Sequence, residues 1–168
     1  MKKNPIKNKF HYLFILIVCI LNIGIGPVSE IDQSDSIWGI RKSPLSLIYM
    51  IEFRDILCSP CSESFLDFCL SLPSEFQREN TMGIVVFDPS SPTHLEEKIV
   101  AKKVRGFKKG NRLHFPLFID FSHIFKNLRT QATQLFILDS TVLSVKKYVF
   151  PLGEKLKNEI IQAVISSL

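Results

Sequence analysis

The chain offers one pair of side chains whose type and spacing could do chemistry. In the stretch FRDILCSPCSESF, Cys58 and Cys61 are separated only by Ser59 and Pro60. Two thiols at this spacing can be a redox couple, half of a zinc site or a static bridge. A redox couple needs one thiolate that attacks and a second thiol close enough to resolve the mixed disulfide. A free thiol titrates near about 8.5, and CxxC sites of this kind bring it to roughly 3.5–7. A zinc site would need two further ligands. His94, His114 and His123 are available, but there is no second CxxC and no HxxxH pair. A static bridge over so small a loop adds little stability, because the closure entropy it removes is small. The redox reading therefore leads, with the bridge and the metal site behind it.

The elements around the pair strengthen that reading. Leu45 to Phe53 is a nearly continuous apolar run, as expected of a strand buried on both faces. Beyond Cys61, Phe65, Phe68, Cys69 and Leu72 fall at helical spacing, and Pro73 ends the run. Pro60 suits the first turn of that helix, where its missing N–H is no loss. Cys58 then stands at or just before a helix N-terminus, where unpaired N–H groups and the positive dipole end favour a thiolate.

Further along, Met82–Phe87 reads as a second buried strand, and Asp88 to Pro92 as a turn cluster. Thr93–Val104 reads as a helix opened by a capping box of Thr93 and Glu96. The basic stretch from Gly106 to His114 reads as a loop, Phe115–Asp120 as a third strand and Ser122–Leu128 as a short helix. Gln134–Asp139 and Thr141–Phe150 make a closing strand pair. Leu156, Ile160, Ile161, Val164 and Leu168 mark one face of a last helix. The order β-α-β-α-β-α-β-β-α predicts parallel crossovers first and an antiparallel edge last, in a mixed sheet with helices on both faces.

The 168 residues suit one domain, and 46% hydrophobic against 22% charged residues is a globular composition. The formal charge of +5 does not point to nucleic acid. Part of it is Lys2, Lys3, Lys7 and Lys9, which precede the apolar run Phe10–Val28. A basic head before an apolar run is a signal peptide or a membrane anchor, and either places the remainder outside the cytoplasm. Residues 1–28 are assigned to that segment, 29–44 to a linker and 45–168 to the domain. Outside the cytoplasm thiols tend to pair, but Cys58, Cys61 and Cys69 leave one over. Cys69 lies on the apolar helix face and reads as a core thiol. Cys19 lies in the apolar run.

The segment LIYMIEFRDILCSPCSESF resembles the active-site segment of the thioredoxin fold. The span from Trp38 to Leu168 resembles the TlpA/ResA-type thiol–disulfide oxidoreductases, with peroxiredoxin-like redoxins close behind. The resemblance implies a three-layer α/β/α domain held at the outer face of a membrane. It implies Cys58 as an exposed nucleophile, Cys61 as the resolving thiol and Glu52 as a buried acid assisting proton transfer. It also implies that Ser59, Pro60 and residue 133 line the groove for a partner's chain. Its partners would be cysteine-containing proteins and a membrane electron donor or acceptor, with no cofactor and no metal. The sequence departs from that pattern at three places. Thr133 stands where a cis-proline is usual, Leu57 replaces a tryptophan, and Glu63 is an offset counterpart of an acid that follows the CxxC. Two other readings remain open: a peroxide-reducing redoxin using Thr133 and Arg129, and a non-enzymatic binding or metal-chaperone module.

Overall fold

A computed structural model describes residues 43–87, 97–128 and 131–168. The run starting at Leu45 forms β1, Leu45–Glu52. It is the middle strand of a five-stranded sheet of order β3-β2-β1-β4-β5, where β2 is Thr81–Val86, β3 Leu117–Ile119, β4 Gln134–Asp139 and β5 Ser144–Val149. β1 runs parallel to β2, with Glu52 beside Val86, and antiparallel to β4, with Met50 beside Gln134. β2–β3 is parallel and β4–β5 antiparallel. The sheet is mixed, with its parallel crossovers first and its antiparallel edge last, as the order of elements in the sequence predicts.

The central position explains the apolar run. Leu47, Tyr49 and Ile51 on one face of β1 are buried, and so are Ile48 and Met50 on the other. Tyr49 sits among Phe65, Phe68, Phe115 and Phe150, with ring centroids 5.1–6.4 Å apart. Tilted and edge-on pairs of this kind add about 0.5–1.5 kcal/mol each beyond their area burial. Between β2 and β3 the chains approach closely at Gly83, where a Cβ would collide with the Leu117 side chain.

Several elements differ from expectation. β1 stops at Glu52, and Phe53–Leu57 turns into a short helix, α1, before the cysteines. The helix α2 is Ser59–Leu70. A further helix not foreseen, α3 (Ser74–Asn80), follows Pro73 and is anchored by the fully buried Phe76. The basic stretch after Gly106 is not a loop up to Gly110: it belongs to α4, Glu97–Gly110. Val100, Val104 and the half-buried Phe107 recur at i, i+4 and i+7, so one apolar face carries the helix through its lysines. The expected helix at Ser122–Leu128 is only a 3₁₀ turn, Lys126–Leu128. Asp120 organises that region, its carboxylate accepting the N–H groups of Ile124 and Phe125 at 2.9 Å. The last helix, α5, is Glu154–Ser166. The expected segment 1–28, residues 29–42 of the expected linker 29–44, the turn cluster at Asp88–Pro92, the capping box at Thr93 and Glu96, His94 and Arg129 lie outside the described residues. Among the described residues no helix is long and apolar enough to cross a membrane.

Candidate redox site

The site is built where β1, α1 and α2 meet. Cys58 is the N-cap of α2 and the C-cap of α1 in extended conformation, with φ −121° and ψ 101°. Its N–H donates to the Asp55 carbonyl at 3.3 Å, which closes α1. Its own carbonyl accepts the N–H groups of Cys61 (3.0 Å) and Ser62 (3.2 Å), which opens α2. The Ser62 hydroxyl adds bonds to the Cys58 and Ser59 carbonyls at 3.4 and 3.1 Å. Pro60 falls in the first turn of α2, as its missing donor requires.

Cys58 and Cys61 are joined by a disulfide, with Cα atoms 5.2 Å apart. That separation lies in the usual range of about 4.4–6.8 Å, so the backbone turn accommodates the bridge without movement. The exposures reverse one expectation. Cys58 is half-buried, whereas Cys61, with Ser59 and Pro60, is exposed. Cys58 sits at the junction, its N–H held by α1 and its carbonyl by α2, whereas Cys61 lies one turn further along α2.

Glu52 ends β1 and is 2% exposed, so the expected buried acid is buried. A second carboxylate, missed in the sequence, lies closer to the cysteines along the chain. Asp55 is 7% exposed, and its Oδ2 accepts the Thr133 N–H at 3.2 Å and the Thr133 hydroxyl at 2.8 Å. Its Oδ1 lies 3.7 Å from Nε of the exposed Arg54. Thr133 is 3% exposed, and its carbonyl accepts the Phe150 N–H at 3.0 Å. Both main-chain polar groups of Thr133 are therefore used inside the protein. The residue standing in the proline's place is tied to the segment that leads into Cys58. The peptide bond before it is not cis; among the described residues only Phe150–Pro151 is.

The remaining candidates stand apart. Leu57, in the tryptophan's place, is 54% exposed. His114 is exposed and His123 packs edge-on against Phe87 at 4.9 Å. Cys69 is fully buried, as expected of a core thiol, and burial pushes its thiol far above the ordinary range. Burial does the same to the neighbouring Tyr49 phenol. Among the described residues no three His, Cys, Asp or Glu side chains gather as a metal site.

No protein-family model matches the chain, and no curated protein matches it. Solved structures do. The thioredoxin-like superfamily protein SPOA0173 aligns over 84% of this chain and 97% of its own, at 13% identity and a TM-score of 0.51. A thioredoxin-like protein solved in its oxidised form aligns over 79% and 85%, at 15% identity and 0.51. A thioredoxin-type protein from Neisseria meningitidis gives 16% identity over 73% and 75%, at 0.48. At these identities the first two establish a thioredoxin-like fold and nothing finer.

Proposed function

We propose that this chain is a thiol–disulfide oxidoreductase that exchanges disulfides with cysteine-containing proteins outside the cytoplasm. The observation that carries the reading is the Cys58–Cys61 bridge at the N-terminus of α2, directly after the central strand. The amino end of a helix of this length favours an anion at Cys58 over one at Cys61, a turn further in. In the reducing direction the Cys58 thiolate attacks a partner's disulfide. One partner sulfur leaves as thiolate, and a mixed disulfide joins Cys58 to the other. Cys61, deprotonated, then attacks the Cys58 sulfur and expels the second partner thiolate. Two electrons have passed to the partner, and the Cys58–Cys61 bridge is restored. Glu52 is the buried carboxyl that takes the Cys61 proton in this scheme. The exposed Ser59 and Pro60 offer the face over which the partner lies, while Thr133, expected in that groove, is buried with its main-chain groups used internally. A membrane electron donor or acceptor resets the pair, and the basic, apolar segment 1–28 holds the protein at the outer face. The Thr133 hydroxyl donates to Asp55, so no observation favours its use on a peroxide.

The test combines equilibration with glutathione and trapping on an oxidised protein substrate, insulin. Wild type reaches a defined dithiol–disulfide equilibrium and reduces insulin. Cys61→Ser accumulates a mixed disulfide through Cys58, and Cys58→Ser is inactive. A bridge that dithiothreitol leaves intact in the folded protein would overturn the reading. Stable adducts on Cys61 in Cys58→Ser, with none on Cys58 in Cys61→Ser, would reverse the two roles and show that exposure outweighs the helix terminus.

A further inference from the structure

A groove of about 510 Å³ opens between α1 and α4, floored by Ile56, Leu57, Ile99 and Phe107 and rimmed by Lys102 and Lys103. Three features mark it as more than a surface irregularity. Leu57 and Ile99 stand 54% and 41% exposed, so apolar surface faces water beside the redox pair. The Phe107 ring is fixed from behind, stacked on Phe65 at 6.5 Å and 11°. Gly106 adds no side chain, and a Cβ there would meet nothing within 4 Å. The Phe107 ring is thus backed by the core, and the groove is open at Gly106.

The charge is one-sided. α4 carries Lys98, Lys102, Lys103, Arg105, Lys108 and Lys109 against Glu97 alone. Lys102 and Lys103 make no ion pair with the described residues. Position supplies the remaining argument. Leu57 is bonded to Cys58, so its Cα lies about 3.8 Å from that of the cysteine. A chain whose sulfur reaches Cys58 carries its next two or three residues, about 7–10 Å when extended, to the groove. We propose that this groove selects partners: it takes the cysteine-bearing segment of a partner protein that has an apolar side chain and an Asp or Glu within a few residues of its cysteine. The proposal rests on the oxidoreductase reading above and adds the substrate class. A concave floor accepts a side chain better than a flat bilayer does. The chain's +5 charge and the basic rim oppose a second copy as occupant.

The test uses the full chain in its dithiol form. Three ten-residue peptides, each a mixed disulfide with glutathione, carry Leu and Asp, Leu and Lys, or Ser and Gly around the cysteine. Two exposed charge pairs together amount to roughly a tenfold effect at low salt. The Leu/Asp peptide is expected to be reduced about tenfold faster than the Leu/Lys peptide, with the gap closing as salt rises. Lys102→Glu with Lys103→Glu inverts the order. Gly106→Trp, whose side chain fills the groove from an open position, removes the advantage given by the leucine, so that any preference left follows charge alone and vanishes at high salt. Reduction of oxidised glutathione by wild type and all variants reports the dithiol itself. Failure there in wild type removes the oxidoreductase reading. Fluorescence anisotropy with the same peptides carrying Ser for Cys then still reads the groove, where preference for Leu/Asp supports it. Equal rates and equal affinities across the peptides would overturn the proposal. So would binding to anionic vesicles lost on lysine reversal, or a dimer lost in Gly106→Trp, if either came without peptide preference.

Discussion

The bond between Asp55 and Thr133 gives the sharpest stability prediction. The residues are 78 apart in sequence, both are buried, and the carboxylate accepts both the N–H and the hydroxyl of Thr133. Hydrogen bonds to charged groups contribute about 1.5–3 kcal/mol each, and a buried group left without a partner loses about 1–3 kcal/mol. In Asp55→Ala the hydroxyl can rotate, but the Thr133 N–H is fixed by the backbone and keeps no acceptor. Removing the carboxylate also relieves its own desolvation, which acts in the opposite direction. Arg54 supplies little compensation, since it is exposed and 3.7 Å away. The N–H penalty wins, and Asp55→Ala is expected to lose about 3 kcal/mol. Asp55→Asn keeps an acceptor of the same shape and loses about 1 kcal/mol. Thr133→Val removes only the hydroxyl and loses about 1 kcal/mol. The double variant Asp55→Ala/Thr133→Val then falls short of additivity by about 1 kcal/mol. Urea unfolding of the oxidised protein, followed by circular dichroism at constant m, measures all four. Additivity within about 0.3 kcal/mol, or an Asp55→Ala variant as stable as Asp55→Asn, would refute the reasoning.

Two further predictions concern Cys69 and Asp139, whose titration the fold shifts. In the reduced, folded protein at pH 8, maleimide is expected to modify Cys58 and Cys61 but not Cys69, whose thiol is fully buried and pushed far up by that burial; peptide mapping that finds residue 69 modified before unfolding would contradict it. Asp139 is held below the usual carboxylate range, first by the Thr141 hydroxyl at 2.6 Å and then by the Thr141 N–H at 2.9 Å. A depressed carboxyl contributes stability above its unfolded pKa and loses it as pH falls through the lower folded value. Thr141→Val should therefore raise the Asp139 midpoint in an NMR titration toward the ordinary value and reduce that acid-side contribution, the Thr141 N–H bond remaining.

What was legible in the sequence follows from periodicity. β1 could be read because a strand buried on both faces cannot carry an alternating pattern, and LSLIYMIE does not. The helix opening at the cysteines could be read because Pro60 fits only its first turn. α3 escaped because SEFQREN offers one strong anchor, Phe76, among charged and polar residues. The second half of α4 escaped because two glycines and paired lysines look like a loop. Its apolar face, Val100, Val104 and Phe107, shows only when the register is carried past Gly106.

The site itself was legible only where its chemistry is local. The cysteine pair follows from its spacing, and Glu52 was singled out by the resemblance of the same chain segment. Asp55 follows from neither, because its partner is brought to it by the antiparallel register that sets Met50 beside Gln134, and no local pattern encodes that pairing. One local sign was present: a carboxylate three residues before Cys58, between the buried Phe53 and the half-buried Ile56. The same α1 turn that buries Asp55 also tucks Cys58 in and leaves Cys61 outermost. Asp55, in the helical turn between β1 and α2, accepts the two Thr133 donors, neither of which a proline would have offered.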